Sequence, residues 1–511
     1  MVEHHQTAKA ILHLIGKYIL CGITVTALLA LPFAANAAET MASAGIVRGK
    51  VTDSNSNMLP AMIQIVGEDG SVYRDFTNAM GGYSLALEPG AYTLVFSKGF
   101  EYDTVVRQVE IERLKTYYLQ DVRLTALYDS YAKGWVAGDC HQHTYYSDGV
   151  DGVEKVMLAN SANGLYFGFL TDHNTSRGVP EYNGATRILV RTEDGQPRYF
   201  QGMDGVEVTT EFGHYNSLGS GLTLEPYDLK LTEMERASTD KLAYAREKIK
   251  YLADCIIRIG GIAQINHPYS TTTMGTMNWI DATDYEILDL YDTIEIWNGY
   301  FCPPDGLFSD RNSMNQNTSS KLLWYGLLNQ MKNGHAFHAA TGGTDNHDVS
   351  GPASAQMREK IVDAPASLQE YYDTWVASAK YSGMPTTYVY FGNEPVTMEN
   401  AMAAIQAGHS FITSGPIVLC SIDGKTYGES VRASGDDTLF VSADIWNRDG
   451  LDSIRIVVNG ETVQTIDCGG AQAYTAPIEL TRTWDRGDWI VFEVSGPLLQ
   501  YAITNPIIID E

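Results

Sequence analysis

The chain has 511 residues, which is enough for three or four domains at roughly 100 to 200 residues per domain. Hydrophobic residues make up 44% and charged residues 19%, a composition typical of a globular protein rather than a disordered one. The formal net charge of -27 opposes contact with nucleic-acid phosphates or anionic lipid, so we expect no nucleic-acid partner.

The N-terminus has the features of a secretory signal. Lys9 and Lys17 precede an apolar run over residues 18–33, and residues 35–37 form an A-x-A cleavage pattern. We predict that residues 1–37 are a signal peptide, that the mature protein is secreted or periplasmic, and that it has no stable membrane insertion after cleavage. An uncleaved anchor is the alternative, because the apolar run with a few flanking residues could cross a bilayer.

Residues 45–126 consist of short β-rich runs separated by Gly, Pro and Asn, which predicts a β-sandwich. The runs GKVTD, LPAMIQI and GGYSLALEPGAYTLVFS resemble the carboxypeptidase regulatory-like domain. That resemblance implies an accessory module, which does not itself specify an activity.

Strands alternate with helices from about Trp135 to Pro416, which favours a barrel or a doubly wound sheet. One helix is predicted near residues 397–407. The polar span 303–319 is predicted to be a surface loop over the functional site of this region. The clearest helix lies between Asp240 and Gly260. Its apolar residues recur at steps of three and four: Leu242, Ala245, Ile249, Leu252 and Ile256.

Alternating strands return over residues 417–511, and Asn459-Gly460 between two such runs is a hairpin signal. We therefore predict a second β-sandwich there. The five cysteines outside the signal are scattered and lack a CxxC motif, so they predict no disulfide framework. Cys420 and Cys468 make a plausible pair, and unpaired core cysteines are the other interpretation.

Two histidines end the first strand of the central region, in the sequence GDCHQHTYYSDG. Because side chains alternate along a strand, His141 and His143 point to the same side. Neutral imidazole is the commonest metal-binding side chain, and Asp148 can curl back with an oxygen ligand. This spacing indicates a metal site.

The same kind of signal follows later strands, in LTDH, GVEVTTEFGH, QINHP and GGTDNHD. Strand ends of a barrel open onto one face, so ligands distant in sequence can meet there. A single histidine of this kind would be read as an ordinary core residue, but histidines beside Asp or Glu at successive strand ends favour a metal cluster. The motifs contribute these side chains: His173, Glu207, His214, His267, Asp345 and His347.

These motifs, in this order, resemble those of the polymerase and histidinol phosphatase (PHP) superfamily of metal-dependent hydrolases. The stretch AMAAIQAGHSFITSGP, which leads into a terminal β-domain, resembles the carbaryl (N-methylcarbamate) hydrolase branch, the CehA/McbA type. The resemblance implies a multidomain α/β plus all-β fold, in which a distorted (β/α)7 barrel over residues 130–416 is flanked by the two β-sandwiches.

The resemblance also implies two or three divalent metal ions, and mixed histidine and carboxylate ligands suit zinc, manganese or iron. Asp139 and Asp172 are expected to orient imidazoles rather than to bind metal. The implied ligand groups are His141, His143, Glu207 and Asp345; Glu207, His214 and His267; and Asp148, His173 and His347.

The expected reaction is hydrolysis of a small molecule by a metal-bridging hydroxide, with Asp345 or His347 moving a proton to the leaving group. The chain has no GxSxG motif that would supply a protein nucleophile. A phosphoester and a carbamate or carboxylic ester both remain open as substrates. Arg177 and Asn298 could contact the substrate, although a solvated loop arginine and a turn cap are equally simple interpretations.

A function of another class also fits the sequence. The protein could be a non-catalytic binding protein that uses metals structurally and its β-sandwiches to bind a glycan or a cell surface. Nothing in the sequence indicates an oligomeric state.

Overall fold

The structure is a computed structural model that describes residues 43–510. Short stretches within that range are left out: 69–70, 185–186, 194, 221–232, 235–236, 238, 271–273, 300–302, 306–315, 351–381 and 498–499. The signal predicted at residues 1–37 lies outside the described residues. What is described is a multidomain α/β chain with several β-sheets. Among the described residues, no helix combines the length and apolar character that a membrane span requires.

The N-terminal strands are β1 (Gly45–Thr52), β2 (Met62–Gly67), β3 (Val72–Phe76), β4 (Gly82–Leu87), β5 (Gly90–Ser97), β6 (Val105–Ile111) and β7 (Thr116–Arg123). They form two sheets, with the strand orders β4-β1-β7 and β3-β2-β5-β6. Val47 and Val51 point inward from β1 while Arg48 and Lys50 are exposed, as alternation along a strand requires. Apolar side chains of both sheets, Phe96 of β5 among them, pack in one shared core.

The central region alternates strands and helices. Its strands are β8 (Trp135–Asp139), β9 (Phe167–Phe169), β10 (Leu189–Glu193), β11 (Gln196–Tyr199), β12 (Gln201–Met203), β13 (Gly205–Thr210), β14 (Gly213–Leu218), β15 (Ile262–Ile265), β16 (Thr293–Asn298), β17 (Ala339–Gly343), β18 (Thr386–Tyr390) and β19 (Ser410–Thr413). Its described α-helices are α1 (Val153–Ala162), α2 (Val179–Gly184), α3 (Lys241–Arg258), α4 (Tyr285–Leu288), α5 (Gln316–Gln330) and α6 (Met398–Gln406). Short 3-10 helices occupy Tyr131–Lys133, Thr276–Asn278 and Met331–Asn333.

Two sheets of this region meet around the histidine motifs. Strands β13 to β17 form one sheet, in which β13 and β14 are an antiparallel hairpin and β15, β16 and β17 run parallel. Strands β8 and β9 are parallel neighbours in the other sheet. Isolated parallel bridges join Gln142 to Asn346 and His173 to Glu207. The chain beyond β8 therefore contacts the chain beyond edge strand β17 of the first sheet, and the chain beyond β9 contacts its other edge strand, β13.

The predicted start and end of helix α3 are confirmed, but only part of its predicted row of apolar residues is buried. Asp240 caps it by accepting hydrogen bonds from the backbone N–H groups of Leu242 and Ala243. Four of the five predicted core residues, from Ala245 to Ile256, are buried. Leu242 is 54% exposed, so the buried stripe starts one turn later than its periodicity predicts. Helix α6 begins after Thr397 and ends at Gln406, close to its predicted bounds.

The surface loop predicted over residues 303–319 is wrong at its C-terminal end. Helix α5 already begins at Gln316, and Asn317 is buried although it is polar. The reason is a tertiary contact, since the Asn317 side chain exchanges hydrogen bonds with the backbone of Asn298. Residues 306–315 of the predicted loop lie outside the described residues.

The C-terminal strands are β20 (Ile417–Ile422), β21 (Ser430–Arg432), β22 (Thr438–Val458), β23 (Glu461–Tyr474), β24 (Ile478–Thr481), β25 (Trp489–Ser495), β26 (Tyr501–Thr504) and β27 (Ile507–Asp510). They continue a sheet of the central region, because β19 pairs with β26. Asn459 and Gly460 both have positive φ and join β22 to β23, which confirms the predicted hairpin. Cys420 and Cys468 are both unpaired.

Two substitutions on α3 test the observed stripe. Ile249 is fully buried, so Ile249→Ala should lower the free energy of unfolding by about 2 to 5 kcal/mol, through lost burial and the cavity left behind. Leu242→Ala on the exposed side should change it by less than about 0.5 kcal/mol. Urea denaturation followed by circular dichroism measures both. Equal losses in the two variants would contradict the placement of this helix.

Candidate metal centre

The HxH motif lies just beyond β8, and both of its histidines are buried. The rings of His141 and His143 are 5.2 Å apart, centre to centre. The Asp139 carboxylate accepts hydrogen bonds from the backbone N–H groups of His141 at 3.1 Å and Thr344 at 3.0 Å. It thereby ties the chain after β8 to the chain after β17. Burial raises the pKa of Asp139 to about 6 despite these hydrogen bonds.

Asp172 holds the turn that follows the motif. Its carboxylate accepts from the Thr144 backbone N–H at 2.7 Å, the Thr144 hydroxyl at 2.6 Å and the Ser147 hydroxyl at 2.7 Å. The described bonds of Asp139 and Asp172 therefore go to backbone, hydroxyl and amide groups rather than to imidazoles. Both carboxylates fix the histidines through the main chain.

Glu207 of β13 is the centre of the histidine cluster. It is fully buried, and the His173–Glu207 bridge brings the chain beyond β9 against it. Its two carboxylate oxygens lie between 2.9 and 3.4 Å from ring nitrogens of five histidines: His141, His143, His173, His214 and His267. One side chain is thus shared by imidazoles that come from five separate motif positions.

Asp345 supplies a second carboxylate to the inner part of the cluster. Its Oδ1 atom lies 3.3 Å from His141 Nε2 and 2.9 Å from His143 Nε2. The same oxygen lies 3.8 Å from His347 Nδ1. Asp345 therefore contacts both histidines of the HxH motif and also His347, which lies two residues after Asp345 in the chain.

Asp148 forms the outer part of the cluster. Its carboxylate lies 3.1 Å from His347 Nε2 and 3.5 Å from His173 Nε2. The Asp148 side chain is 56% exposed, whereas that of Glu207 is 1% exposed. The cluster therefore runs from a buried inner face to an outer face that solvent reaches.

All nine side chains predicted as ligands lie in this one cluster. Three groups have ligand atoms close enough to hold a metal ion: His141, His143, Glu207 and Asp345; His173, Glu207 and His214; and His143, Asp148, His173 and His347. His267 falls outside these groups, although its Nε2 atom lies 3.4 Å from Glu207 Oε1. His173 takes the place that the resemblance implied for His267 beside Glu207 and His214.

Several buried polar atoms of the cluster have no hydrogen-bond partner among the described residues: His141 Nε2, both ring nitrogens of His143, Glu207 Oε2 and His267 Nδ1. Leaving a buried polar atom unpaired costs about 1 to 3 kcal/mol, so such atoms rarely gather at one point without a ligand. Nitrogen and oxygen donors of this kind suit zinc, manganese or iron. The residues present therefore fit divalent metal ions.

The electrostatics of the cluster favour a cation. Burial lowers the pKa of His173, but the carboxylates of Glu207 and Asp148 outweigh burial and raise it to about 10. Burial lowers the pKa of His143 to about 4. Burial also opposes ionisation of Glu207 and Asp345, yet the surrounding imidazoles hold the pKa of both carboxyls below its usual range. Ionised carboxylates at this depth need positive charge beside them.

Glu295 was not among the residues predicted from the sequence. It is fully buried in β16, and its Oε1 atom lies 2.9 Å from His141 Nδ1. Its Oε2 atom accepts from the His267 backbone N–H at 2.8 Å. A carboxylate that binds the Nδ1 atom of a histidine fixes the orientation of the ring and leaves Nε2 to bind a metal. Glu295 therefore orients His141 Nε2 toward the cluster. The usable signal was a lone acidic residue inside the apolar run TIEIW.

The backbone is strained at two of the predicted ligands. His267 has φ 26 and Asp345 has φ 50, in the left-handed region that non-glycine residues rarely enter. Each residue follows the end of a parallel strand, and its backbone N–H is bound by the site itself, to Glu295 for His267 and to His141 O at 2.8 Å for Asp345. The surrounding hydrogen bonds hold these conformations.

The two predicted substrate residues lie in different surroundings. Arg177 is exposed on the loop after His173, and its backbone N–H bonds the Thr175 hydroxyl at 3.3 Å. Asn298 is fully buried, and its side-chain amide donates to Asp345 Oδ2 at 3.0 Å. A role in substrate contact stays a prediction for both residues, and the Asn298 amide is engaged with a predicted metal ligand.

Comparisons with known proteins give distant structural matches only. No family model matches the sequence, and no curated protein matches it. A two-domain protein from Bacteroides vulgatus, described as containing a predicted PHP-like metal-dependent phosphoesterase, is 14% identical with a TM-score of 0.30, over 72% of this chain and 95% of that one. An amidohydrolase from Chromobacterium violaceum is 18% identical with a TM-score of 0.27, over 41% of this chain and 87% of that one. Scores this low carry no argument, so function has to be argued from the site.

Replacing the shared carboxylate tests the cluster directly. Glu207→Gln should remove at least one bound ion per chain, because a neutral amide is a far poorer ligand than a carboxylate. Elemental analysis of metal-reconstituted, dialysed protein measures the content. Glu211→Gln is the matched control, since Glu211 lies at the tip of the same hairpin and pairs with Lys248 at 2.8 Å. Unchanged metal content in Glu207→Gln would contradict a metal site centred on this residue.

A substitution at Gly343 tests whether metal binding requires the close approach of β17 to the HxH motif. A Cβ atom there would lie 2.3 Å from His141 Cβ and 3.0 Å from Glu295 Oε1, so either the backbone or the histidine must move. We expect Gly343→Ala to weaken metal binding by about 10- to 100-fold, as misplacing supporting groups does elsewhere. Gly326→Ala in α5, where a Cβ meets nothing within 4 Å, is the control. Chelator competition measures both, and equal affinities would show that the close approach is unimportant.

Proposed function

We propose that this protein is a PHP-type metal-dependent hydrolase of small molecules. The observation that carries the proposal is the fully buried Glu207 carboxylate, which is surrounded by imidazoles and has an oxygen without a hydrogen-bond partner among the described residues. Structural ion pairs in a protein core do not normally combine so many histidines with unpaired ring nitrogens. A metal-binding function accounts for both features.

We further propose that the strands and helices of residues 130–416 form the distorted (β/α)7 barrel of this class. The isolated bridges Gln142–Asn346 and His173–Glu207 support this, because they connect the two sheets on both sides of the site. β-Sandwiches at residues 45–126, of the carboxypeptidase regulatory-like type, and at residues 417–511 would flank the barrel. The two N-terminal sheets that share a core support the first of these.

Two or three divalent ions would be held by the three ligand groups around Glu207, with His267 completing the inner side. Bound there, such ions supply a nucleophile from water at neutral pH and polarise the bond under attack. Either Asp345 or His347 is proposed to move the proton to the leaving group. His347 lies beside the exposed Asp148, so it is placed between the buried ligands and the side that substrate can reach.

The substrate class is proposed as a phosphoester or a carbamate or carboxylic ester. Clustered metal ions attract a phosphate even within a chain of net charge -27. The exposed Arg177 beside the His173 motif would assist an anionic substrate. The stretch AMAAIQAGHSFITSGP, which leads into the terminal β-domain, instead supports the carbamate or ester branch.

We propose that the mature protein acts outside the cytoplasm, as a secreted or periplasmic enzyme without a nucleic-acid partner. The A-x-A pattern at residues 35–37 and the acidic composition support this.

Turnover by reconstituted protein tests the proposal. The mature chain loaded with zinc or manganese should hydrolyse at least one of p-nitrophenyl phosphate, bis-p-nitrophenyl phosphate, naphthyl acetate and a naphthyl carbamate, and chelation should abolish the activity. We expect Asp345→Asn to lower kcat by about 10²- to 10⁴-fold, because it alters both a metal ligand and a proton-transfer group. The Glu211→Gln variant serves again as the control for expression and folding.

The pattern of activity separates the alternatives. Phosphoester cleavage without ester or carbamate cleavage would assign the phosphoesterase function, and the reverse would assign the ester or carbamate hydrolase. Bound metal with no turnover on the whole panel would reject the hydrolase and favour a metal-stabilised binding protein for a glycan or a cell surface.

A further inference from the structure

The Asp345 carboxylate is held from outside the metal cluster by one amide. Its Oδ2 atom accepts from Asn298 Nδ2 at 3.0 Å, while its Oδ1 atom faces the imidazoles of His141 and His143. The Asn298 amide also donates to Glu295 Oε2 at 3.2 Å. Asn298 therefore determines which oxygen of Asp345 is presented to a metal.

Asn298 is in turn fixed by Asn317, in the first turn of α5. The Asn298 backbone N–H donates to Asn317 Oδ1 at 3.0 Å, and Asn317 Nδ2 donates to the Asn298 carbonyl at 2.9 Å. Both residues are at least 99% buried, so water cannot readily replace these bonds. This reciprocal pair sets the backbone at the end of β16, from which the Asn298 side chain reaches Asp345.

Helix α5 is itself anchored to the C-terminal strands one turn further along. Lys321 Nζ lies 2.9 Å from Glu493 Oε1 of β25, and the Tyr325 hydroxyl donates to the same oxygen at 2.6 Å. The side chains of Lys321 and Glu493 are 7% and 5% exposed. Because a buried ion pair is costly to break, it holds the start of α5 in a defined position.

We propose that Asn317 is a positioning residue for the metal ligand Asp345. It touches neither metal nor substrate, and it acts by fixing Asn298, which holds the Asp345 carboxylate. The C-terminal strands contribute through the anchored helix, so the metal centre depends on a segment that none of the histidine motifs contains. The inference rests on the proposed function only in that Asp345 binds a metal ion.

Metal affinity of Asn317→Ala tests the proposal, with Asn329→Ala as the matched control. Asn329 is an amide on the same helix that also bonds the C-terminal strands, to Trp489 Nε1 at 2.9 Å and the Asn459 carbonyl at 3.3 Å, but it lies away from Asp345. We expect Asn317→Ala to weaken zinc binding by about 10-fold or more in chelator competition, and Asn329→Ala to change it by less than about twofold. The thermal midpoints of the metal-free variants show whether the two lose similar stability.

If Asn317→Ala binds zinc as tightly as the native chain, or if Asn329→Ala loses as much affinity, the proposal is overturned. Asn317→Asp, which keeps the oxygen that accepts from Asn298, is the second variant if Asn317→Ala does not fold, and the same weakening of zinc binding is expected. Failure of the proposed function is a separate result. It would appear as a native protein that binds zinc and shows the Asn317 effect without hydrolysing any ester.

A metal-free measurement covers the case in which the native chain binds no zinc. Unfolding free energies of Asn317→Ala, Asp345→Ala and the double variant form a cycle, and we expect the two changes to be non-additive because both act through Asn298. Strict additivity would overturn the proposal independently of any metal.

Discussion

The central constraint on this structure is a carboxylate that has to stay ionised in the protein interior. Glu207 is fully buried, and an isolated charge at that depth is strongly unfavourable unless opposite charge or strong donors surround it. The hairpin of β13 and β14 places His214 against one oxygen, and the bridge from His173 brings an imidazole to the other. The sheet of β13 to β17 and the sheet that contains β8 and β9 are therefore brought together where the charge needs compensation.

Three further carboxylates maintain this arrangement without being predicted metal ligands. Asp139 and Asp172 act on the main chain around the HxH motif, and Glu295 acts on the ring of His141 and the backbone of His267. Together they fix ring orientation and strand-end geometry before any ion binds. Such preorganisation reduces the cost of ordering ligands when a metal enters.

The sequence predicted best what depends on short-range patterns. The cap and end of α3, the bounds of α6 and the Asn459-Gly460 hairpin follow from local signals, and the strand-end motifs indicated all nine side chains that the structure brings together. It failed where partners are distant in sequence. The lone acidic residue in TIEIW marks Glu295, but its role is defined only by the contact with His141, and the early start of α5 depends on Asn298. Whether residues 45–126, 130–416 and 417–511 are separate domains stays a prediction.

The cluster is asymmetric in exposure, because its inner carboxylates are buried and its outer carboxylate is exposed. On the inner side, Glu207 and Asp345 are buried and supported by further hydrogen bonds from Asn266 and Asn298. On the outer side, Asp148 is more than half exposed and lies on a turn held by Asp172 through Thr144 and Ser147. Exposure of the ligands therefore increases from Glu207 toward Asp148, and a substrate can approach the cluster from the Asp148 side. The fold thus fixes the buried side and leaves the exposed side accessible.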